Sequence, residues 1–426
     1  MAADSIFALS SGRPPAGVAV MRLSGSASFD VARQLIGRVP PPRTATLATL
    51  RDPADQSVID RGLVIAFESP ATFTGEDVVE FQLHGGAAII DYLLSCLERM
   101  GLRHAEPGEF TRRAFDNGKL DLSQAEGLAD LIDARTETQR QQALSQAGGR
   151  LREGAERWRN TILALMASAE AGLDFSDEAD VVLGNNDLAI MALRNELAGH
   201  LAQAAVGERV RDGFTITVVG EPNVGKSSLV NALSQRDVAI VSDSPGTTRD
   251  LIEVPLDLAG VAVTLVDTAG LRDSLDPVER QGIARARARA AAADLVLHVA
   301  VTAPAVPLGV VVLNKCDAMD MAGGRRGDVM HVSAHTGAGL AELEHWLVAW
   351  AQRQVSQAEP ALISRRRQRS ALTRSVAHLE EAMHQDDPVL RAESLRLSAR
   401  ALDEITGRVG AEDVLAGVFG RFCIGK

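Results

Sequence analysis

The sequence of 426 residues has only three cysteines, Cys96, Cys316 and Cys423, and they lie far apart. An odd number at such spacing favours neither a disulfide framework nor a metal knuckle, so we expect a reducing, cytoplasmic environment. Long apolar runs are also missing. The longest, such as "DLVLHVAV" and "GVVVL", have the length of a strand and are far short of a membrane span. The first residues lack a basic segment followed by a long apolar one, so no signal peptide is expected.

An excess of positive charge is missing as well. The chain has 44 lysines and arginines against 56 acidic residues, which gives a net charge of -12. This balance excludes a protein that holds nucleic acid by bulk positive charge, so any such contact needs a local basic patch or a partner. The one dense basic run, Arg365–Arg369, is better explained as a solvated helix start than as a contact for nucleic acid or a partner.

The sequence divides into four segments that differ in their pattern of apolar and turn residues. At 426 residues the chain is too long for a single hydrophobic core, so we expect more than one domain. Residues 1–118 alternate short β-like runs with glycine and proline turns, which predicts an α+β domain. Residues 119–212 have apolar residues at three- and four-residue spacing, which predicts amphipathic helices. Strands alternate with helices over 213–356, which predicts a parallel sheet. The helical texture returns over 357–426, so we expect a helical domain that is interrupted by an inserted α/β domain.

A phosphate-binding loop is predicted at "GEPNVGKSS", between the apolar strand "FTITVV" and the helical stretch "LVNALSQ". The segment matches G-x-x-x-x-G-K-[ST] in the context that this motif requires. Gly220 and Gly225 let backbone N–H groups face phosphate. Lys226 reaches the terminal phosphates, and the Ser227 hydroxyl is a magnesium ligand.

Three further elements follow in the order typical of a GTPase. "DTAG" (Asp267–Gly270) ends an apolar strand and contributes an aspartate for the magnesium shell and a glycine for the γ-phosphate. "NKCD" (Asn314–Asp317) ends the next parallel strand but one, and its Asp317 carboxylate can accept both N–H donors of a guanine edge. "SAHTG" (Ser333–Gly337) follows. An ATPase would not need the Asn-Lys-x-Asp element, so the sequence predicts a GTP-binding domain.

The loop "VSDSPGTTRD" lies between the first two elements, and Thr248 in it is predicted to be the second magnesium hydroxyl. The residues predicted to contact GTP all belong to these loops: Asn223, Val224, Gly225, Lys226, Ser227, Ser228, Ser242, Asp243, Ser244, Pro245, Gly246, Thr247, Thr248, Asp267, Thr268, Ala269, Gly270, Asn314, Lys315, Asp317, Ser333, Ala334 and His335.

Hydrolysis needs a group that orients water, and the usual glutamine after Asp-x-x-Gly is replaced here by Leu271. Glu279 is the nearest well-placed carboxylate beyond "DTAG", and Asp273 and Asp276 are alternatives. No arginine finger is evident. The Asn223 side-chain oxygen could hold a monovalent cation against the phosphates, and the alternative is a turn-forming role.

These motifs, together with "GVAVMRLSG", "TFTGEDVVEFQLHGG", "PGEFTRRAFDNGKLDLSQAEGLADLIDA" and the terminal "FCIGK", resemble the MnmE (TrmE) family of tRNA-modification GTPases over nearly the whole chain. The resemblance implies an amino-terminal tetrahydrofolate-binding domain, a split helical domain, an inserted Ras-like G domain and a homodimer formed through the amino-terminal domain. It also implies a flavoprotein partner, MnmG (GidA), which carries FAD and uses NADH. This partner and the homodimer would form a heterotetramer. Together they add an aminomethyl or carboxymethylaminomethyl group to carbon 5 of the wobble uridine of certain tRNAs.

The resemblance also implies roles for individual residues. It gives the potassium ligands as Asn223, Ser242, Ser244 and Thr247, and the magnesium ligands as Ser227 and Thr248. It gives Glu279 as the carboxylate that orients water, with Lys226 as the second catalytic residue. It gives the folate contacts as Arg22, Glu80 and Lys119. An acid suits the N–H donors of a pterin ring, and cations suit the carboxylate tail.

Two features remain open at this stage. Cys423 could act as a nucleophile if Lys426 or a helix terminus lowers its pKa, and the alternative is a structural tail. The connection Val301–Gly309 between two predicted parallel strands is short and has two prolines, whereas such crossovers usually contain a helix. Nine residues can span roughly 30 Å when extended, so a crossover without a helix is possible.

Two other functions compete with the one implied by the resemblance. The first is a regulatory or ribosome-assembly GTPase without one-carbon chemistry, which folate binding at the predicted residues would exclude. The second is a folate-dependent transferase that acts alone. That enzyme would need its own flavin or amine chemistry, and no dinucleotide-binding G-x-G-x-x-G is seen.

Overall fold

A computed structural model describes residues 4–174, 186–236, 252–267, 293–355, 360–410, 412–420, 422 and 424–425. These residues form two compact units. The first consists of Met1–Ala129, Leu151–Arg159 and Ala399–Lys426, and the second of Asp130–Arg150 and Asn160–Ser398. The domain limits proposed from the sequence texture remain predictions.

A mostly antiparallel sheet dominates the first unit, and its described strands follow the order β3-β4-β5-β2-β1-β6. The strands are β1 (Ile6–Leu9), β2 (Ala16–Ser24), β3 (Thr46–Arg51), β4 (Val58–Phe67), β5 (Val78–Gly85) and β6 (Arg103–His104). The helices α1 (Ser28–Ile36) and α2 (Ala87–Arg99) contribute to the hydrophobic core on one face of this sheet. Met21 and Phe81 are fully buried in this core. Since side chains alternate along a strand, their neighbours Arg22 and Glu80 lie on the opposite face.

The remaining helices of the helical part lie before and after the inserted domain in the sequence. They are α3 (Glu109–Asp116), α4 (Leu122–Asp133), α5 (Glu137–Ala147), α6 (Arg150–Asp174) and α7 (Asn186–Asp212) before the insertion, and α10 (Arg366–His384), α11 (Pro388–Thr406) and α12 (Glu412–Phe419) after it. Within the second unit α7 packs along α10. None of the helices in the described part of the chain is long and apolar enough to cross a membrane.

The second unit contains the mostly parallel sheet that the alternating pattern predicts. The order of its described strands is β12-β13-β11-β10-β7-β9-β8, with β8 and β12 antiparallel to their neighbours. The strands are β7 (Phe214–Val219), β8 (Ile252–Leu258), β9 (Val261–Asp267), β10 (Leu295–Ala300), β11 (Val310–Leu313), β12 (Gly324–Arg326) and β13 (Val329–His331). The helices α8 (Lys226–Ser234) and α9 (Leu340–Val355) complete one core with this sheet.

The connection from β10 to β11 has no helix, which is the arrangement that the length of nine residues made possible. The two strands are adjacent and parallel, with Leu297 opposite Val310. The backbone N–H of Leu308 donates to Nδ1 of His298 at 3.2 Å, which fastens the connection to β10. The strand order of the sheet is therefore compatible with a crossover of only nine residues.

The end of the chain packs against its beginning within the first unit. The hydroxyl of Ser10 donates to the carbonyl of Gly425 at 2.9 Å. A β-carbon on Gly425, which has φ +95°, would lie 2.3 Å from the carbonyl oxygen of Leu9. Phe422 is buried and stacks on Phe419 at 6.3 Å between ring centroids. The terminal segment is therefore part of a packed structure, although Cys423 and Lys426 lie outside the described residues.

Candidate functional site

The phosphate loop joins β7 to the amino terminus of α8 and has a backbone that few residues other than glycine adopt. Gly220, Asn223 and Gly225 have φ of +151°, +61° and +95°. A β-carbon on Gly220 would lie 2.0 Å from the carbonyl oxygen of Val299 on β10. The loop therefore curls tightly over the start of α8, where the first N–H groups of the helix and the helix dipole favour an anion.

Lys226, the first residue of α8, lies across this loop. Its Nζ donates to the carbonyl oxygens of Gly220 and Glu221, each at 2.9 Å. The side chain is buried, so its positive charge is held at the loop instead of in bulk solvent. Ser227 and Ser228 follow in the first turn of the same helix. The structure thus brings the predicted lysine and the two serines to one end of α8.

Asn314 connects the phosphate loop to the two loops predicted to bind guanine. Its Nδ2 donates to the carbonyl of Val224 at 2.9 Å, and its Oδ1 accepts from the backbone N–H of Ala334 at 3.0 Å. Lys315 follows with φ +65°, and its Nζ donates to the carbonyl of Asn223 at 2.9 Å. The three predicted loops are therefore held in one arrangement by side chains of the Asn-Lys-x-Asp element.

Asp317 is prepared for a ligand that donates hydrogen bonds. A hydrogen bond from the hydroxyl of Ser333 holds the pKa of the Asp317 carboxyl below its usual range. The backbone N–H of Thr336 in turn donates to the Ser333 hydroxyl at 3.1 Å. His335 lies exposed on the same loop. A carboxylate that stays ionised beside a preformed loop fits the paired N–H donors of guanine.

Asp267 lies at the end of β9, beside the strand that leads into the phosphate loop. It is fully buried and stands opposite Val218 in the parallel pairing of β7 and β9. Since carboxyl ends of parallel strands meet at one edge of the sheet, Asp267 lies at the same edge as the loop after β7.

Arg22 and Glu80 form a partly buried ion pair on the sheet face opposite the core formed with α1 and α2. They stand opposite each other in the pairing of β2 and β5. Arg22 Nη2 and Nε lie 2.8 and 2.9 Å from Oε1 of Glu80. The guanidinium carbon also lies 5.8 Å from the ring centroid of Phe73 and 5.8 Å from that of Phe110. Two of the three predicted folate contacts therefore lie together, beside aromatic rings that the sequence did not reveal.

Lys119 lies close to the connection between β4 and β5, which contains Phe73 and Gly75. Its Cε lies 3.1 Å from the position that a β-carbon on Gly75 would take. Asn117 Nδ2 donates to the carbonyl of Thr74 at 2.7 Å, which ties the segment before Lys119 to that loop. Phe73 and Gly75 therefore connect Lys119 with Arg22 and Glu80 through one short stretch of chain.

Comparison with known proteins decides the family. The family described as GTP-binding protein TrmE N-terminus matches residues 5–119, and the MnmE helical domain matches residues 122–423. A tRNA modification GTPase MnmE of Methylobacterium radiotolerans is 50% identical over 439 residues, and the match covers 99% of each chain. One of Azorhizobium caulinodans is 49% identical over 438 residues, again with 99% of each chain covered. The chain belongs to the MnmE family.

Membership in the MnmE family makes the chain a GTP hydrolase and confirms the predicted fold class, with an α+β amino-terminal domain, a split helical domain and an inserted G domain. Among solved structures, the G domain of the T. maritima FeoB iron transporter is 28% identical. The match covers 33% of the present chain and 99% of the FeoB G domain, with a TM-score of 0.24. The assignment to the MnmE family therefore rests on the whole-chain relatives.

Several residues singled out from the sequence lie outside the described part of this MnmE chain. They are Ser242, Asp243, Ser244, Pro245, Gly246, Thr247, Thr248, Thr268, Ala269, Gly270, Leu271, Asp273, Asp276, Glu279, Cys423 and Lys426. Their proposed roles remain predictions.

The basic run Arg365–Arg369 is partly engaged inside the second unit of this MnmE chain. Arg365 pairs with Asp130 at 2.6 Å, and Arg369 pairs with Glu208 at 3.2 Å. Arg211 also pairs with Asp130, at 3.1 Å. Burial raises the pKa of Asp130, and the two guanidiniums oppose that rise. At least two arginines of the run therefore hold helices together.

Proposed function

We propose that the protein is a potassium-activated GTPase that works with a flavoprotein of the MnmG (GidA) type. Together they add an aminomethyl or carboxymethylaminomethyl group to carbon 5 of the wobble uridine of certain tRNAs, with a one-carbon unit from a tetrahydrofolate derivative. The observation that carries the GTPase part is the Asn314 amide, which joins the phosphate loop at Val224 to the guanine loop at Ala334. In this proposal the partner supplies FAD and NADH.

The described residues suit magnesium and a nucleoside triphosphate. A hydroxyl at Ser227 and a buried carboxylate at Asp267 are the hard oxygen donors that magnesium prefers, and Thr248 would add the second hydroxyl. When bound, the ion neutralises charge on the phosphates. Lys226, which bonds two loop carbonyls, would turn its ammonium toward the β- and γ-phosphates. Asp317 would bind the guanine edge.

The proposed potassium site uses the side chain of Asn223. This residue is exposed, and its left-handed backbone is fixed by the bond from Lys315 to its carbonyl. Asn223 therefore stands in the phosphate loop with its side chain accessible, and its side-chain oxygen would bind a monovalent cation that takes the place of an arginine finger. Ser242, Ser244 and Thr247 would complete the coordination.

GTP turnover is expected to rise at least about tenfold in potassium over sodium, because a cation held at the phosphates stabilises charge that develops in the transition state. Asn223→Ala should lose this response and still bind GTP. Glu221→Ala is the matched control, since Glu221 is exposed in the same loop and contributes its backbone carbonyl to Lys226. Equal rates in both salts for the unmodified protein would exclude the cation role.

The proposed folate site joins an acid, two cations and an aromatic ring. Glu80 would accept from the N–H donors of the pterin ring, and Arg22 and Lys119 would bind the carboxylate tail. Phe73, whose ring is partly exposed beside Arg22, offers a flat apolar surface for the ring system. This combination supports one-carbon chemistry over a purely regulatory GTPase.

Exposed leucines on β3 and β4, on the sheet face that carries Arg22 and Glu80, support the proposed homodimer. Leu47 and Leu63 are exposed and stand opposite each other in the pairing of β3 and β4. Leu63 also pairs with Gln82, which alternation places on the same face as Glu80. We propose a second copy of the chain as the occupant of this face.

Glu80→Ala in the full-length chain is expected to weaken binding of 5-formyltetrahydrofolate by about 1–3 kcal/mol, or roughly 5- to 150-fold, because Arg22 and the ligand donors lose their shared acceptor. Calorimetric titration measures this affinity. In a strain that lacks the native gene, the same variant should leave the wobble uridine without the aminomethyl groups, which nucleoside analysis detects.

The matched control is Glu98→Ala, since Glu98 forms an exposed ion pair with His104 in the same unit. This variant should bind folate and restore the modification. Normal modification by Glu80→Ala with undetectable folate binding would contradict the one-carbon part of the proposal. Normal tRNA in the deletion strain itself would contradict the tRNA function.

A further inference from the structure

The turn between β8 and β9 caps the amino terminus of helix α5. The carbonyl oxygen of Gly260 accepts from the backbone N–H of Thr138 at 3.0 Å and from its hydroxyl at 2.7 Å. Ala259 and Gly260 have φ of +52° and +89°, so the hairpin closes with both central residues in the left-handed region. The N–H of Gly260 donates to Asp257 at 2.6 Å, which fixes the direction of its carbonyl.

Helix α5 is held on a second side by glutamines that lie on one face. Gln139, Gln142 and Gln146 are three and four residues apart, and Gln142 and Gln146 are buried. They donate in that order to the carbonyl of Arg211 at 3.0 Å, the carbonyl of Gly207 at 3.0 Å and the hydroxyl of Ser364 at 2.7 Å. The first two acceptors lie in the last turns of α7, and Ser364 lies just before α10. The glutamines therefore bind α5 to the two segments that connect the helical domain to the G domain, one before and one after it.

These contacts are polar, and little apolar packing accompanies them. The buried residues of α5 are two glutamines and one alanine, while Leu144 is half exposed. A cavity of about 120 Å³ lies along the same face, and Asp130 and Arg211 line it. Hydrogen bonds are directional, and an adjoining cavity leaves space for a small shift of the helix, whereas an interdigitated apolar core resists such a shift.

The hairpin links α5 to the nucleotide site. Its strands pair over their whole length, from Ile252 opposite Asp267 to Leu258 opposite Val261. At about 3.3 Å per residue, the turn lies roughly 20 Å along the strands from Asp267. β8 also begins directly after the loop that carries Thr248. Both predicted switch loops therefore adjoin the open end of a hairpin whose closed end touches Thr138.

We propose that α5 transmits the nucleotide state of the G domain to the helical domain. Thr138 is the positioning residue that contacts the hairpin turn, and the three glutamines transfer a movement of α5 to α7 and to the segment before α10. The inference assumes that Asp267 belongs to the nucleotide site. It goes beyond the proposed chemistry, because Thr138 belongs to neither the proposed nucleotide site nor the proposed folate site. Thr138 would act on the coupling of GTP hydrolysis to tRNA modification and leave hydrolysis itself unchanged.

Hydrogen–deuterium exchange of the full-length chain tests the proposal directly. The amides of Thr138 to Gln146 should exchange at rates that differ at least about fivefold between GDP and a non-hydrolysable GTP analogue, the lower end of a typical coupling between sites. Thr138→Val should abolish that difference, keep GTP turnover within about twofold and lower the modified tRNA formed in a complemented deletion strain at least about fivefold. Thr138→Ser keeps the hydroxyl and should restore both readouts.

The matched control is Gln141→Leu, because Gln141 is exposed and its Nε2 donates to Glu137 in the same helix. It should behave as the unmodified chain does. Equal exchange rates of α5 in the two nucleotide states of the unmodified chain would overturn the proposal, and this measurement needs no variant. A loss of GTP turnover in Thr138→Val would also overturn it, since Thr138 would then serve the G domain itself. Failure of the folate titration at Glu80 would leave these outcomes unaffected.

Discussion

Replacement of Glu279 by alanine is expected to lower GTP turnover by about 100-fold or more and to leave GTP affinity nearly unchanged, which is the usual effect of removing a positioned orienting group. Leu271 occupies the position of the usual glutamine and cannot hold the attacking water. Glu279 lies twelve residues beyond Asp267, in the segment that the γ-phosphate would order. GTP binding depends instead on the phosphate and guanine loops. Single-turnover hydrolysis and a nucleotide titration separate the two effects.

The controls for this prediction are the neighbouring acids. Asp273→Ala and Asp276→Ala should hydrolyse GTP at the normal rate if Glu279 alone orients the water. A normal rate in Glu279→Ala, together with a loss in either control, would transfer the role to that aspartate. Because the proposed chemistry needs hydrolysis, Glu279→Ala should also fail to restore modified tRNA in a deletion strain.

Gly225→Ala is expected to weaken GTP binding at least about 100-fold, which corresponds to roughly 3 kcal/mol. The left-handed backbone of Gly225, with φ +95°, costs an alanine about 1–2 kcal/mol. The new β-carbon would lie 2.3 Å from Nδ2 of Asn314. Displacing that amide breaks its bonds to Val224 and Ala334, and each buried group left unpaired costs about 1–3 kcal/mol. A titration with fluorescent GTP measures the affinity.

The same domain offers a control that separates strain from contact. Gly327 has φ +62° in the β12–β13 hairpin, and a β-carbon there would meet nothing within 4 Å. Gly327→Ala should therefore lower the free energy of unfolding by about 1–2 kcal/mol, from backbone strain alone, without a change in GTP affinity. If both variants bound GTP equally well, Asn314 would not be the connection between the phosphate loop and the guanine loop.

The sequence predicted the parts of this molecule that depend on short stretches of chain. The phosphate loop needs glycines at fixed positions, and the strand before it and the helix after it are visible as local patterns, so its prediction and that of the parallel sheet needed no tertiary information. The same holds for the crossover before β11, whose two prolines and short length leave no space for a helix.

Long-range contacts were beyond such patterns. Arg365 pairs with Asp130, which lies 235 residues earlier, so the basic run gave no local sign that it is engaged in ion pairs. Phe73 and Phe110 flank Arg22 only because the sheet brings them together. The glutamines of α5 resemble an ordinary solvated face in the sequence, because their acceptors are backbone carbonyls and a hydroxyl contributed by distant segments. In each case the partner, and not the residue itself, decides the role.

The contact between Gly425 and the segment Leu9–Ser10 has a consequence for biosynthesis. A ribosome makes the first strand of the amino-terminal sheet early and the residues that pack against its end much later, since Ser10 and Gly425 are 415 positions apart. The amino-terminal domain therefore cannot reach its final packing until the residues around Gly425 have been made, after the whole inserted G domain. A nascent chain that stalls before Gly425 is made would carry the whole G domain and an amino-terminal domain that still lacks this packing partner.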